Sequence, residues 1–223
     1  MWCVPTLTPQ FIERMEALLT LYAKPYSPDQ PVICFDEKSK ALRADVRPLI
    51  PATVSMPRKR DYEYKRNGTA NIFLAVEPKG GWREATVTKR RTKRDFAEEI
   101  KRLLKTPRYC RARKIHLVLD NLNTHGTQSL RETFSLAEAE RLLGRVRFHY
   151  TPKHASWLNM AEIELSILSR QALGARIPTR AALTEGIQKW QQKRNAQRAL
   201  IRWQFTKADA RKVFKYQEDG RLS

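Results

Sequence analysis

The sequence predicts an α/β protein, a five-stranded mixed sheet flanked by helices. Three observations predict it. The first is PVICFDE, residues 31–37, in which the apolar run Val32–Phe35 ends in Asp36 and Glu37. A short apolar run of this kind reads as a buried strand. The second is KIHLVLDN, residues 114–121, which repeats the figure and ends in Asp120. The third is that apolar stripes at helical spacing alternate with these runs. One aspartate at a strand end is accounted for by the turn that follows it. Two such strands in a very basic chain point to one acidic site at their C-terminal ends.

Each element has its own signal. Thr8-Pro9 is a helix start, Thr as cap and Pro in the first turn, and Phe11, Ile12, Met15, Leu18, Leu19 and Tyr22 form its apolar stripe. Pro25 and Pro28 close it. A first strand over 31–36 leads into residues 47–61, where three prolines exclude a regular helix. Asn67-Gly68 signals a turn, followed by a strand over 70–77. Gly80-Gly81 turns the chain into an antiparallel partner over 82–88. Thr92 and Asp95 mark a helix start, with Phe96, Ile100, Leu103 and Leu104 on one face. A fourth strand over 114–119, a helix over 135–143 and a fifth strand over 145–150 follow. Residues 157–172 are helical, Thr179 starts another helix, and a last one spans about 207–215. Three sequential strands followed by alternating helices and strands is the ribonuclease H-like order. By organisation, residues 1–30 form an entry segment, 31–175 the core and 176–223 a helical extension.

Composition narrows the function. The 223 residues carry 43 Lys and Arg against 23 Asp and Glu, a net charge of +20. Such a charge repels itself unless it meets a polyanion, and nucleic acid is the first candidate. No apolar stretch approaches the ~18 residues of a membrane span, so no membrane partner is expected. No secretory leader is visible at Met1–Trp2–Cys3. Cys3, Cys34 and Cys110 are widely spaced and form no CxxC pair, which fits a reducing compartment. The basic groups are distributed, with clusters at Arg58, Lys59 and Arg60 and at Lys89, Arg90, Arg91 and Lys93. Each is a candidate phosphate contact or a solvated loop.

Carboxylates suit Mg²⁺, which takes hard oxygen ligands and keeps water in its shell. Asp36 and Asp120 supply two, and a later element should supply a third. Glu162 and Glu164 compete for that role. Two residues apart on a helix, they cannot both face the aspartates. Glu162 would also complete a capping box if Asn159 is the cap. Spacing does not choose between them; if Glu162 is the working one, Glu164→Gln should be nearly silent. His125 and His154 each follow a strand end and could touch a phosphate, or be ordinary loop histidines. No zinc spacing, nucleophile elbow, P-loop or GxGxxG occurs.

The stretches VICFDEKSKAL (32–42), RKRDYEYKRNGTANIFLAVEPKGGWR (58–83), HLVLDNLNTH (116–125) and TPKHASWLNMAE (151–162) together resemble the IS630/Tc1/mariner superfamily of transposases, in its IS630 branch. The resemblance runs over about residues 1–215. It implies a DDE triad of Asp36, Asp120 and Glu162 on a ribonuclease H-like fold, holding two Mg²⁺ or Mn²⁺ ions. It also implies double-stranded DNA partners: transposon inverted-repeat ends, cleaved and joined to a TA-containing target, with a homodimer as an option when assembled on DNA. Arg58, Lys59, Arg60, Lys89, Arg90, Arg91, Lys93, His125, Lys153 and His154 are the expected DNA contacts. The expected location is a prokaryotic cytoplasm, at the nucleoid. Members of this family usually carry an N-terminal helix-turn-helix region, which this chain is expected to lack. A DNA-binding remnant or nuclease that no longer transposes is therefore the alternative function. A ribonuclease H acting on RNA–DNA hybrids is a third, against which the DYEYKRNGTAN and WLNxxE pieces speak.

Overall fold

A computed structural model describes residues 7–122 and 124–217; Cys3 and the start of the chain lie outside the described residues. One sheet carries five strands in the order β3-β2-β1-β4-β5. They are β1 (Val32–Asp45), β2 (Tyr64–Glu77), β3 (Trp82–Thr88), β4 (Ile115–Leu119) and β5 (Val146–Tyr150). The first three form an antiparallel meander, and β4 and β5 add in parallel. Helices α2 (Lys93–Lys105), α3 (Thr127–Thr133) and α4 (Leu136–Leu143) cover one face through Phe96, Ile100, Leu130 and Leu142. Helix α1 (Pro9–Ala23), α5 (Met160–Ala172), α6 (Arg180–Ala196) and α7 (Lys207–Phe214) cover the other. With both faces covered, the interior strand β2 is buried without interruption from Ala70 to Glu77, as a sheet between two helical layers requires.

The caps read from the sequence form. The Phe11 amide donates to Thr8 Oγ1 at 3.1 Å. Thr92 and Asp95 make a reciprocal capping box, and Thr179 caps α6. Three features differ from expectation. Strand β1 does not stop at Asp36 but runs on to Asp45, paired with β2 alone once β4 has diverged. Asn67-Gly68 is not a hairpin turn but lies inside β2. There the register slips between Ala41 and Arg43, and Gly68 takes φ 83°. The extra residue makes a bulge, and only glycine adopts that backbone without strain. Helix α3 was not foreseen, because its seven residues offer just two buried positions, Ser129 and Leu130.

Helix α5 is held at its start and on its inner side. The Asn159 side chain caps it, accepting from the Ala161 amide at 3.1 Å, while its amide donates to the Phe35 carbonyl at 3.0 Å. That carbonyl lies just beyond the last residue of β1 paired with β4. On the inner side of α5, Glu164 is fully buried and receives two arginines. Arg83 of β3 donates from Nε and Nη2, both at 2.9 Å. Arg194 of α6 donates at 3.0 and 3.1 Å. Asn195 completes the joint by accepting from the Arg83 amide and donating to the Arg83 carbonyl, closing the β3 edge. Glu164 is thus engaged in the packing of α5 against β3 and α6.

Breaking a buried ion pair by neutralising one partner typically costs about 3–5 kcal/mol. Glu164→Gln should therefore lower the urea midpoint by a corresponding amount, with the slope of the transition unchanged. A wild-type midpoint for this variant would show that the clamp contributes nothing.

Candidate active site

Asp36, Asp120 and Glu162 line one open cleft of about 420 Å³, at the C-terminal end of β4 and the point where β1 diverges from it. The strands explain two of them: β1 and β4 are parallel neighbours with Cys34 opposite Val118, so Asp36 and Asp120 each lie two residues beyond that pair. The cap explains the third. Asn159 fastens the start of α5 to Phe35, the neighbour of Asp36, and Glu162 sits in the first turn above it. Glu162 does not complete a capping box, since the Asn159 amide already donates to Ser156 O at 2.7 Å. Its side chain is exposed to the cleft, whereas Glu164 points into the core.

The electrostatics are unbalanced. Asp36 is 8% exposed, and its carboxyl is pushed up to about 7. Burial is the main cause, followed by the negative charge of Glu162, with Glu37 and Asp120 adding to it. The Glu37 amide, donating to Asp36 Oδ1 at 2.8 Å, opposes the shift. Asp120 behaves oppositely. Burial would raise it, but the hydrogen bond and charge of His125 hold it below the usual carboxylate range.

His125 is buried, 3% exposed. Its Nδ1 lies 2.6 Å from Asp120 Oδ1 and its Nε2 2.8 Å from Glu37 Oε2. Burial alone would lower its pKa; Asp120 and Glu37 together raise it to about 9. The phosphate contact expected at His125 is not what the structure presents: the imidazole is buried between two carboxylates, hydrogen-bonded to Asp120 and at ion-pair distance from Glu37.

The other expected DNA contacts are scattered around the rim. Lys89, Arg90 and Arg91 are exposed between β3 and α2, and Arg91 lines the cleft with Nη1 3.5 Å from Glu37 Oε1. Arg58, Lys59 and Arg60 lie in the long β1–β2 connection, where Arg60 is held by Asp45 at 2.8–2.9 Å. Lys93 is paired with Glu132 at 3.0 Å. Lys153 and His154 line a second hollow with Arg14, whose Nη1 donates to Asn121 Oδ1, beside Asp120. Lys38 and Arg170 also line the catalytic cleft and were not anticipated. Lys38 follows Asp36 by two residues on the same strand face, a signal hidden by ending the strand at Asp36. Arg170 lies eight residues after Glu162 on α5, the same helical face.

Among the described residues, no three His, Cys, Asp or Glu side chains close a cage around a single point. The donor set nevertheless fits a hard divalent cation. It offers carboxylate oxygens only, in an open cleft with room for water, and one of them is a buried carboxyl whose shift an added cation would reverse.

An α/β/α fold with this strand order and an acidic cleft at the ends of its central strands is a ribonuclease H-like domain. A family model described as DDE superfamily endonuclease matches residues 31–184; that is more than half of the chain, which therefore belongs to this superfamily of endonucleases. Solved structures of Mos1 mariner transposase share the fold. The Mos1 mariner paired end complex with Mn matches with a TM-score of 0.55 at 16% identity, over 86% of this chain and 58% of that one. The Mos1 strand transfer complex matches with a TM-score of 0.55 at 15% identity, over 86% and 57%. The paired-end complex with left transposon end gives 0.54 at 15%, over 86% and 57%. The chain thus spans under two thirds of these relatives' length. No curated protein sequence matches it.

Removing the Asp36 charge should stabilise the metal-free protein. An aspartate raised from ~3.9 unfolded to about 7 folded binds more protons when folded, so stability falls as pH rises across that window. Asp36→Asn should raise the melting temperature in chelator at pH 8 and leave it nearly unchanged at pH 4. Equal effects at both pH values would show that Asp36 is not strained by its neighbours.

Proposed function

We propose that this chain is the catalytic domain of a metal-dependent DDE transposase of the IS630 type. It cleaves DNA at terminal inverted repeats and transfers the strand to a TA-containing target. One observation carries the reading: Asp36, Asp120 and Glu162, from three separate elements, line the same cleft. The family match and the fold shared with Mos1, whose structures include paired-end and strand transfer complexes, support it.

In this reading Asp36, Asp120 and Glu162 hold two Mg²⁺ or Mn²⁺ ions. When bound, such ions activate the attacking oxygen and neutralise charge on the leaving one. The chain's own contribution is placement. Asp36 is fixed by β1 and the Glu37 amide, Asp120 by His125, and Glu162 by the capped first turn of α5. Lys38, Arg91 and Arg170 line the cleft and would draw backbone phosphates toward these carboxylates. Contacts of this kind position the duplex and carry no base information.

Glu162→Gln should lower cleavage of a labelled inverted-repeat end in Mn²⁺ by more than the ~10–100-fold typical of losing a partner that only orients a metal ligand, with a melting temperature in chelator no lower than wild type. A wild-type rate would remove Glu162 from the triad. Cleavage restricted to RNA–DNA hybrid would favour a ribonuclease instead.

Binding to duplex DNA should weaken steeply with salt, because each neutralised phosphate adds about 0.9 to the slope of log affinity against log salt. With a net charge of +20, several such contacts are expected. Fluorescence anisotropy between ~50 and ~200 mM salt measures the slope. A flat response would remove the basic rim as a DNA surface.

A further inference from the structure

We propose that His125 and Glu37 are a positioning pair for Asp120, fixing which of its carboxylate oxygens is free to bind metal. This rests on the metal-site reading above and goes beyond the triad.

The geometry is specific. Asp120 emerges from the end of β4 into a loop, where an aspartate side chain is free to rotate. Two donors remove that freedom, and both use the same oxygen. His125 Nδ1 lies 2.6 Å from Oδ1, and the Leu122 amide donates to Oδ1 at 3.3 Å. Oδ2 is left for the cleft. The imidazole is itself fixed from every side. The Phe96 ring lies at 4.9 Å and Phe35 packs edge-on at 6.4 Å. The His125 amide donates to Leu122 O at 2.9 Å, which folds the loop back on itself. At its far edge Nε2 sits 2.8 Å from Glu37 Oε2.

Glu37 has the neighbouring position to Asp36 but a different task. Its side chain is 2% exposed and wedged between His125 and Arg91. On a strand, consecutive side chains point to opposite faces, so Glu37 leaves the strand on the other side from Asp36, borders the cleft beside Arg91 and reaches His125 under the Asp120 loop. The chain of groups Arg91–Glu37–His125–Asp120 thereby joins the exposed basic loop before α2 to the metal end of β4. Partners of this kind orient metal ligands, and their loss typically costs about 10–100-fold in metal affinity.

The test is Mn²⁺ titration by calorimetry on the DNA-free protein, with melting temperatures recorded in chelator. His125→Ala should weaken Mn²⁺ binding by about 10–100-fold. His125→Gln, whose amide can still donate to Asp120, should recover part of that loss. Glu37→Gln keeps an acceptor beside Nε2 but removes its charge, and should fall between wild type and His125→Ala. Folded His125→Ala with wild-type Mn²⁺ affinity would overturn the proposal. If neither His125 variant folds, Glu37→Gln decides: wild-type affinity in that variant overturns it equally. A wild-type protein that binds Mn²⁺ while the variants match it defeats only the positioning pair. A wild-type protein that binds no Mn²⁺ defeats the metal-site reading as well.

Discussion

Glu164 is the joint on which the arrangement of the catalytic cleft depends. It ties α5 to β3 through Arg83 and to α6 through Arg194, with Glu164 and Arg83 fully buried. A carboxylate in such a place is tolerated only because four charge-assisted hydrogen bonds replace its water. Once Glu164 is directed inward, helical geometry turns residue 162 roughly half a turn away, toward the cleft. The ion pair therefore decides the orientation of a side chain it never touches. Asn159 sets the other coordinate, the height of the helix against β1, by donating to the Phe35 carbonyl.

The cleft shows the opposite electrostatic policy. Where Glu164 has two cations, Asp36 has none among the described residues, and three other carboxylates surround it. The protein holds a group in a state that is costly without a cation, and that cost is the clearest physical sign of function in the molecule. The cations that could relieve it are engaged elsewhere or held at the rim. His125 is committed to Asp120 and Glu37, and Arg91 to Glu37. Stability and function thus pull against each other at Asp36 and are aligned at Glu164.

Helical elements outside the matched family segment belong to the same packed structure. Helix α1 lays Met15, Leu18 and Tyr22 on the sheet beside Cys34 and Val118, and the Tyr22 hydroxyl donates to Leu158 O at 2.7 Å. Trp203, Phe205 and Phe214 pack with Trp157, in the turn that leads into α5. The turn that leads to the third carboxylate is therefore supported from both ends of the chain.

Much of this was legible in the sequence for local reasons. Strand cores show as apolar runs, caps as Thr-Pro and Thr-x-x-Asp, and the aspartates as polar residues ending apolar runs. Those signals sit within a few residues of the structure they specify. The length of β1 was not legible, since beyond Asp36 it is held by β2 and by the α5–α6 connection, where Ile177 accepts from the Arg43 amide at 2.8 Å. Nor was the Asn67-Gly68 bulge, because a turn and a bulge ask the same backbone freedom of glycine and only the partner strand distinguishes them. The division of labour between Glu162 and Glu164 and the burial of His125 depended on residues 30 to 90 positions away. Spacing fixes relative directions on one helix; which direction is inward is decided by the charges that another part of the chain brings to meet it.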